Sequence, residues 1–161
     1  MSYRILVAKR ARTLELILDG HLERRYCIAL GRNAAADKSM EGDHTTPLGE
    51  FYICAKNPRS KYFLSLCISY PNAEHAQRGL AAGLIGAEEY GQILDALHAG
   101  KMPPQHTRLG GEIYIHGRGV KGAEDAPSDK DWTRGCIALE NSDMHDLYDR
   151  IDIGTVIRIE A

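Results

Sequence analysis

Three things are missing from this 161-residue sequence, and each absence removes a class of protein. There is no cysteine framework: four cysteines, Cys27, Cys54, Cys67 and Cys136, are too few for a disulfide scaffold, and none forms a zinc-type Cys-x-x-Cys pair. There is no basic excess: 20 Lys and Arg face 22 Asp and Glu, for a formal charge of −2, which argues against a general nucleic-acid binder. No apolar run approaches the ~20 residues that a membrane span needs. The opening MSYRILVAKRARTLELILDG mixes charges with hydrophobics and lacks an uninterrupted apolar stretch before a small-residue cleavage site, so no export signal is expected in it. That leaves a mature or trimmed form, an intracellular protein, or another route out.

What is present is ordinary for a globular chain, with 43% hydrophobic and 26% charged residues. The length suits one domain over residues 1–161 with a proper core. Tyr3 to Ala8, Thr13 to Leu18 and Glu23 to Leu30 alternate as strands, and Asp19-Gly20 between the second and third is a hairpin signal. Arg32 to Leu48 is polar loop. Gly49 to Ala55 and Tyr62 to Tyr70 return to strand character, with Asn57-Pro58 expected as the turn between them. Asn72 to Ala99 is alanine-rich with Ile93, Leu94 and Leu97 at helical spacing, predicting one or two helices broken by Gly79, Gly83, Gly86 and Gly91. This insertion is either a lid or a surface excursion. Glu112 to His116 and Cys136 to Leu139 read as short strands, Asn141 as the cap of a helix stopped by Gly154, and Thr155 to Ile159 as a closing strand. The sum is a mainly β domain with helical decoration.

The chemistry concentrates in IYIHGRG and DWTRGCIALE. A histidine ending one strand and a cysteine starting the next can meet. A thiol, with a reference pKa of about 8.5, needs a base or positive surroundings to become thiolate. His116 is the candidate base and Cys136 the candidate nucleophile. Gly135 permits close approach of a substrate carbonyl, the Cys136 amide can face a developing oxyanion, and Arg134 adds positive charge. Cys54 and Cys67 read as buried small hydrophobes. No pair among His44, His75, His98, His106 and His145 has metal-ligand spacing, so neither a metal nor another cofactor is expected.

These residues resemble the L,D-transpeptidase catalytic domain (YkuD-like) family, whose signature is a His-Gly strand end followed by Ser/Thr-His-Gly-Cys. The matching residues are His116-Gly117 and Thr133-Arg134-Gly135-Cys136. ALGRN and GDHTTPLGEFYI fit the family's loop and Thr-Pro segment, and RSKYFLSLCISYPNAEH with DWTRGCIAL is closer still to its YafK-type subgroup. Arg134 stands where the commoner pattern has a second histidine. The resemblance spans about Tyr3 to Ile159. It implies a β-sandwich with short helices and a helical insertion around 72–100. It also implies thioester acyl transfer on peptidoglycan stem peptides near meso-diaminopimelate, with the Gly117 carbonyl orienting His116 and Gly135 and Thr133 shaping the oxyanion side. It places the protein in the periplasm or at the cell wall, with a wall-attached lipoprotein as a further acceptor.

Arg118, Lys121, Lys130 and Arg134 can meet substrate carboxylates or simply solvate a loop. Trp132 can line the groove or pin the loop, and Tyr114 can face the groove or solvent. Asp43 and Thr46 read as turn-formers rather than catalysts. Beside transpeptidation stands a hydrolase (carboxypeptidase, endopeptidase or amidase-like) on the same site, including a secreted wall-attacking effector. A non-catalytic wall-binding module is the third reading, opposed by the intact His116 and Cys136.

Overall fold

The computed structural model describes residues 2–119 and 131–161. It opens with a meander: β1 (Tyr3–Ala8), β2 (Thr13–Leu18) and β3 (His21–Cys27). Alternation sets its register, with Ile5 opposite Leu16 and Val7 opposite Leu14, all four buried. Asp19 and Gly20 form the two-residue turn with φ of 49° and 86°, the left-handed pair that a tight hairpin requires.

The long β4 (Gly49–Ser60) pairs first with the C-terminal β8 (Val156–Glu160) and then with β5 (Phe63–Ile68). Next to β5 come β6 (Tyr114–His116) and β7 (Ile137–Ala138), giving the order β3-β2-β1-β8-β4-β5-β6-β7. Beyond β3 the chain crosses to the opposite edge: Ala29 bridges Ala138, and Gly31 bridges Thr133. The sheet therefore curls until its ends meet. Inside lies the main core, which α3 (Asn141–Arg150) covers with Met144 and Leu147. Each such fully buried aliphatic contributes about 1.5–3 kcal/mol.

The structure corrects two readings. Asn57-Pro58 is not a turn; β4 runs on to Ser60 and the chain reverses at Lys61-Tyr62. The ladder is irregular between Asn57 and Ser60, which is where a strand tolerates a proline with no N–H to donate. Asn141 does not cap α3, since Glu140 holds that position and the Asn141 side chain is used elsewhere.

The insertion forms two helices, α1 (Ala73–Ala81), capped by Asn72, and α2 (Ala87–His98). Gly83 and Gly86 separate them, whereas Gly79 and Gly91 lie inside helices. Gly79 is where Leu109 packs, and a Cβ there would collide with it. Ala76, Ile85, Ile93 and Leu109 make a small second core. Asp37 ties α1 down, accepting from His75 Nε2 at 2.9 Å and from Arg78 at 2.6 Å. Among the described residues no helix is long and apolar enough to cross a membrane.

Candidate active site

Parallel pairing sets Ile115 opposite Ile137 and His116 opposite Ala138. Ile115 and Ile137 are fully buried in the core, so strand alternation turns Tyr114, His116 and Cys136 together onto the other face. The expected pair thus shares one face of two adjoining strands.

The thiol is held by backbone. Cys136 Sγ donates to the Glu112 carbonyl at 3.4 Å and accepts from the Tyr114 amide at 3.4 Å. It is not hydrogen-bonded to His116. Burial pushes it up to about 11, helped by Glu112 and opposed by the Tyr114 amide, Lys38 and Lys61. The imidazole is buried, and its Nδ1 lies 2.6 Å from the Gly117 carbonyl. A carbonyl only accepts, so the proton sits on Nδ1 and Nε2 is left as the basic nitrogen. Burial lowers His116 to about 4, against the pull of the Gly117 carbonyl and with the help of Lys61. At neutral pH the pair therefore rests as thiol and neutral imidazole, not as an ion pair.

Aromatic rings fix the imidazole. Tyr62 stacks on it with centroids 4.4 Å apart, and Trp132 meets it edge-on at 5.8 Å. Trp132, expected either to line the groove or to pin its loop, lies half-buried against Tyr62 and His116.

The turn before the nucleophile has its own framework. Thr133 Oγ1 donates to the Cys136 carbonyl at 2.6 Å and accepts the Gly135 amide at 3.2 Å. Gly135 has φ 136°, and a Cβ there would sit 2.8 Å from the Thr45 carbonyl, so only glycine fits. Thr46, wholly buried, accepts the Gly31 amide at 3.0 Å and donates to the Gly135 carbonyl at 2.8 Å. Buried Lys9 holds Thr46 in turn, donating to the carbonyls of Thr46 and Ala36 at 2.6 Å each, and burial lowers it to about 8. Asp43 is the turn-former expected, accepting the amides of Ser39, Met40 and Thr45 and pairing with Lys38 at 2.8 Å. On the histidine side, Asn141 accepts the Arg118 amide at 2.8 Å and donates to the Gly119 carbonyl at 2.9 Å.

Cys136, His116, Gly117, Thr133, Gly135, Tyr114 and Trp132 thus converge. Arg118 lies half-buried, 3.5 Å from Glu140. Arg134 is exposed and forms no ion pair among the described residues, while the cations acting most on the thiol are Lys38 and Lys61. Lys121 and Lys130 lie outside the described residues. Sequence reasoning passed over Tyr62, Lys61, Glu112 and the bridging role of Thr46. No local signal marks them, because each reaches the site through a loop or turn. Among the described residues no cluster of three metal-ligating side chains occurs.

The family model for YkuD, the L,D-transpeptidase catalytic domain, matches residues 2–159. Among solved structures, the chain is similar to the helical cell shape determining protein Pgp2 of Campylobacter jejuni. A point mutant of that protein shares 25% identity with a TM-score of 0.68, over 99% of this chain and 47% of that one. Bdellovibrio bacteriovorus Bd1075 follows at 20% identity and TM-score 0.61, over 98% and 47%. An L,D-transpeptidase from Mycobacterium smegmatis shares the fold at 13% identity and TM-score 0.57, over 99% and 59%. The chain spans about half the length of these proteins. No curated sequence matches it at a significant level.

Proposed function

Because the chain belongs to the L,D-transpeptidase catalytic-domain family, whose substrate is peptidoglycan, we propose that it performs cysteine-dependent acyl transfer on stem peptides. One observation carries the reading. A buried neutral imidazole, its Nδ1 proton committed to the Gly117 carbonyl, shares a strand face with the only cysteine in a glycine-positioned turn.

In this mechanism the thiol leaves the Glu112 carbonyl and passes its proton to His116 Nε2 as sulfur attacks the peptide carbonyl. The developing oxyanion meets the Cys136 amide, since the Gly135 amide is already given to Thr133. Protonated His116 then protonates the leaving amine, and the D-residue departs, leaving a thioester. An incoming amine resolves it, from another stem peptide or from a wall-attached lipoprotein. A periplasmic or cell-wall site of action is part of this reading, supported by the family's general location, and the likeness to a cell-shape protein fits wall remodelling.

The test is mass spectrometry of tetrapeptide muropeptides incubated with the protein and with Cys136→Ala. Loss of the terminal D-alanine with new dimers, reduced at least about a thousandfold in the variant, is the expected result. Tripeptide without dimers points to the hydrolase, and turnover that survives in Cys136→Ala removes the nucleophile assignment.

A further inference from the structure

The reacting pair lies between two opposite charges that form no salt bridge among the described residues. On one side is Lys61, exposed at the β4–β5 turn, with its Nζ 5.1 Å from the centre of the Tyr62 ring that stacks on His116. On the other is Glu112, exposed, with its own carbonyl 3.4 Å from Cys136 Sγ. Neither side chain forms a salt bridge among the described residues, although twelve such bridges occur elsewhere. The fields of both reach the sulfur, Glu112 opposing the thiolate and Lys61 favouring it.

Glu112 is also built in place. Its φ is 54°, a left-handed conformation costly for a residue with a side chain, and its amide is held by Gln105 Oε1 at 2.7 Å. The Gln105 Nε2 is anchored on the Tyr70 and Pro103 carbonyls at 2.9 and 2.8 Å. Gly111 packs so closely on Gln105 that a Cβ would meet its backbone. A carboxylate that disfavours thiolate does not help the first, acylating step. It suits the second step, where a cation must arrive.

We infer that Glu112 is the acceptor-recognition residue, whose carboxylate draws the ammonium of the resolving amine to the thioester on Cys136. This rests on the acyl-transfer reading above. The ammonium loses two protons as its nitrogen forms the amide bond and the C–S bond breaks. One passes through His116 to the departing sulfur and the other goes to solvent. A neutral water feels no net charge attraction to this carboxylate, as an ammonium does, so Glu112 biases the thioester toward transfer over hydrolysis.

Two measurements test this. The first needs no peptidoglycan: rates of Cys136 modification by a trimethylammonium-ethyl and a sulfonato-ethyl methanethiosulfonate, read by peptide mapping. Their ratio cancels the thiolate fraction and the folded fraction. Glu112→Gln lowers the cationic-to-anionic ratio by about three- to tenfold at low salt, Lys61→Gln raises it, and Glu112→Asp largely preserves it. The second is the dimer-to-tripeptide ratio from tetrapeptide muropeptides, which falls several-fold in Glu112→Gln. An unchanged reagent ratio, or an unchanged product ratio beside a changed reagent ratio, overturns the assignment. If the wild type consumes no muropeptide, the acyl-transfer reading fails, and the acceptor role falls with it. The reagent ratio then still decides whether Glu112 governs charge at the thiol.

Discussion

Two histidines in this molecule are buried to nearly the same degree, and they are built for opposite ends. His75, in α1, has oxygen atoms at both ring nitrogens: Asn72 Oδ1 at 2.7 Å from Nδ1 and Asp37 Oδ1 at 2.9 Å from Nε2. His116, in β6, has the Gly117 carbonyl at Nδ1 and no hydrogen bond at Nε2 among the described residues. Both sit against aromatic rings, Phe51 and Tyr70 for one, Tyr62 and Trp132 for the other. Burial and stacking therefore do not distinguish them. The uncommitted nitrogen does, because a ring with both nitrogens occupied can brace a helix but cannot take a proton from a nucleophile.

The sharpest way to break the comparison is to exchange fates. His116→Gln should cost about 10²- to 10⁴-fold in muropeptide turnover with the thermal midpoint little changed. His75→Gln should leave turnover per folded molecule within a few-fold and lower stability by about 1–3 kcal/mol, as Asp37 loses a buried partner. Parallel turnover and unfolding measurements on both variants decide it, and equal activity losses would mean that His75 also reaches the chemistry.

Acid separates the two regions by window. His116, brought down by burial from 6.5 to about 4, stays neutral in the folded protein where the unfolded chain would protonate. Its contribution is whole above pH 6.5 and falls by up to about 3 kcal/mol as pH drops to about 4. Asp37 is raised by burial, but bonds from His75, the Leu48 amide and Arg78 prevail and hold it near 2 against an ordinary 3.8. Its stabilisation, about 2 kcal/mol, is present above pH 4 and lost on going towards 2. Denaturant unfolding from pH 8 to pH 2.5 should show both declines, with His116→Gln removing the upper one and Asp37→Asn the lower. A His116→Gln curve still sloping between 6.5 and 4 would show that another group governs that window.

The mildest change sharpens how the nucleophile's turn is held. Thr46→Val keeps the shape but strips the hydroxyl from between Gly31 and Gly135, leaving a buried amide and carbonyl unpaired. A loss of about 1–2 kcal/mol is expected, with turnover falling further than stability alone explains.

Much of this was legible in the linear sequence, for reasons that particular residues make clear. Asp19-Gly20 announced its hairpin because turn chemistry is local, whereas the Gly117 carbonyl was expected only through the family resemblance. Pro58 misled, since a bulge that excuses a strand proline depends on the partner strand. Asn141 misled in the same way: its side chain serves the backbone after His116, 22 and 23 residues upstream. Arg134 adjoins the nucleophile in sequence yet stands in solvent, while Lys61 and Glu112 come to it from other elements. Contacts made within a turn can be read along the chain, and contacts made across the curl of the sheet cannot.

That curl depends on its last strand. β8 lies between β1 and β4, parallel to the first strand and antiparallel to the fourth. On this side the meander and the strands bearing His116 and Cys136 adjoin through residues 156–160, so during synthesis the two halves can meet only at the Ala29–Ala138 and Gly31–Thr133 bridges until those residues emerge. Assembly is then necessarily late and long-range. A truncation before Val156, although far from Cys136 in the chain, would remove the strand between β1 and β4 and leave the halves joined only at those bridges.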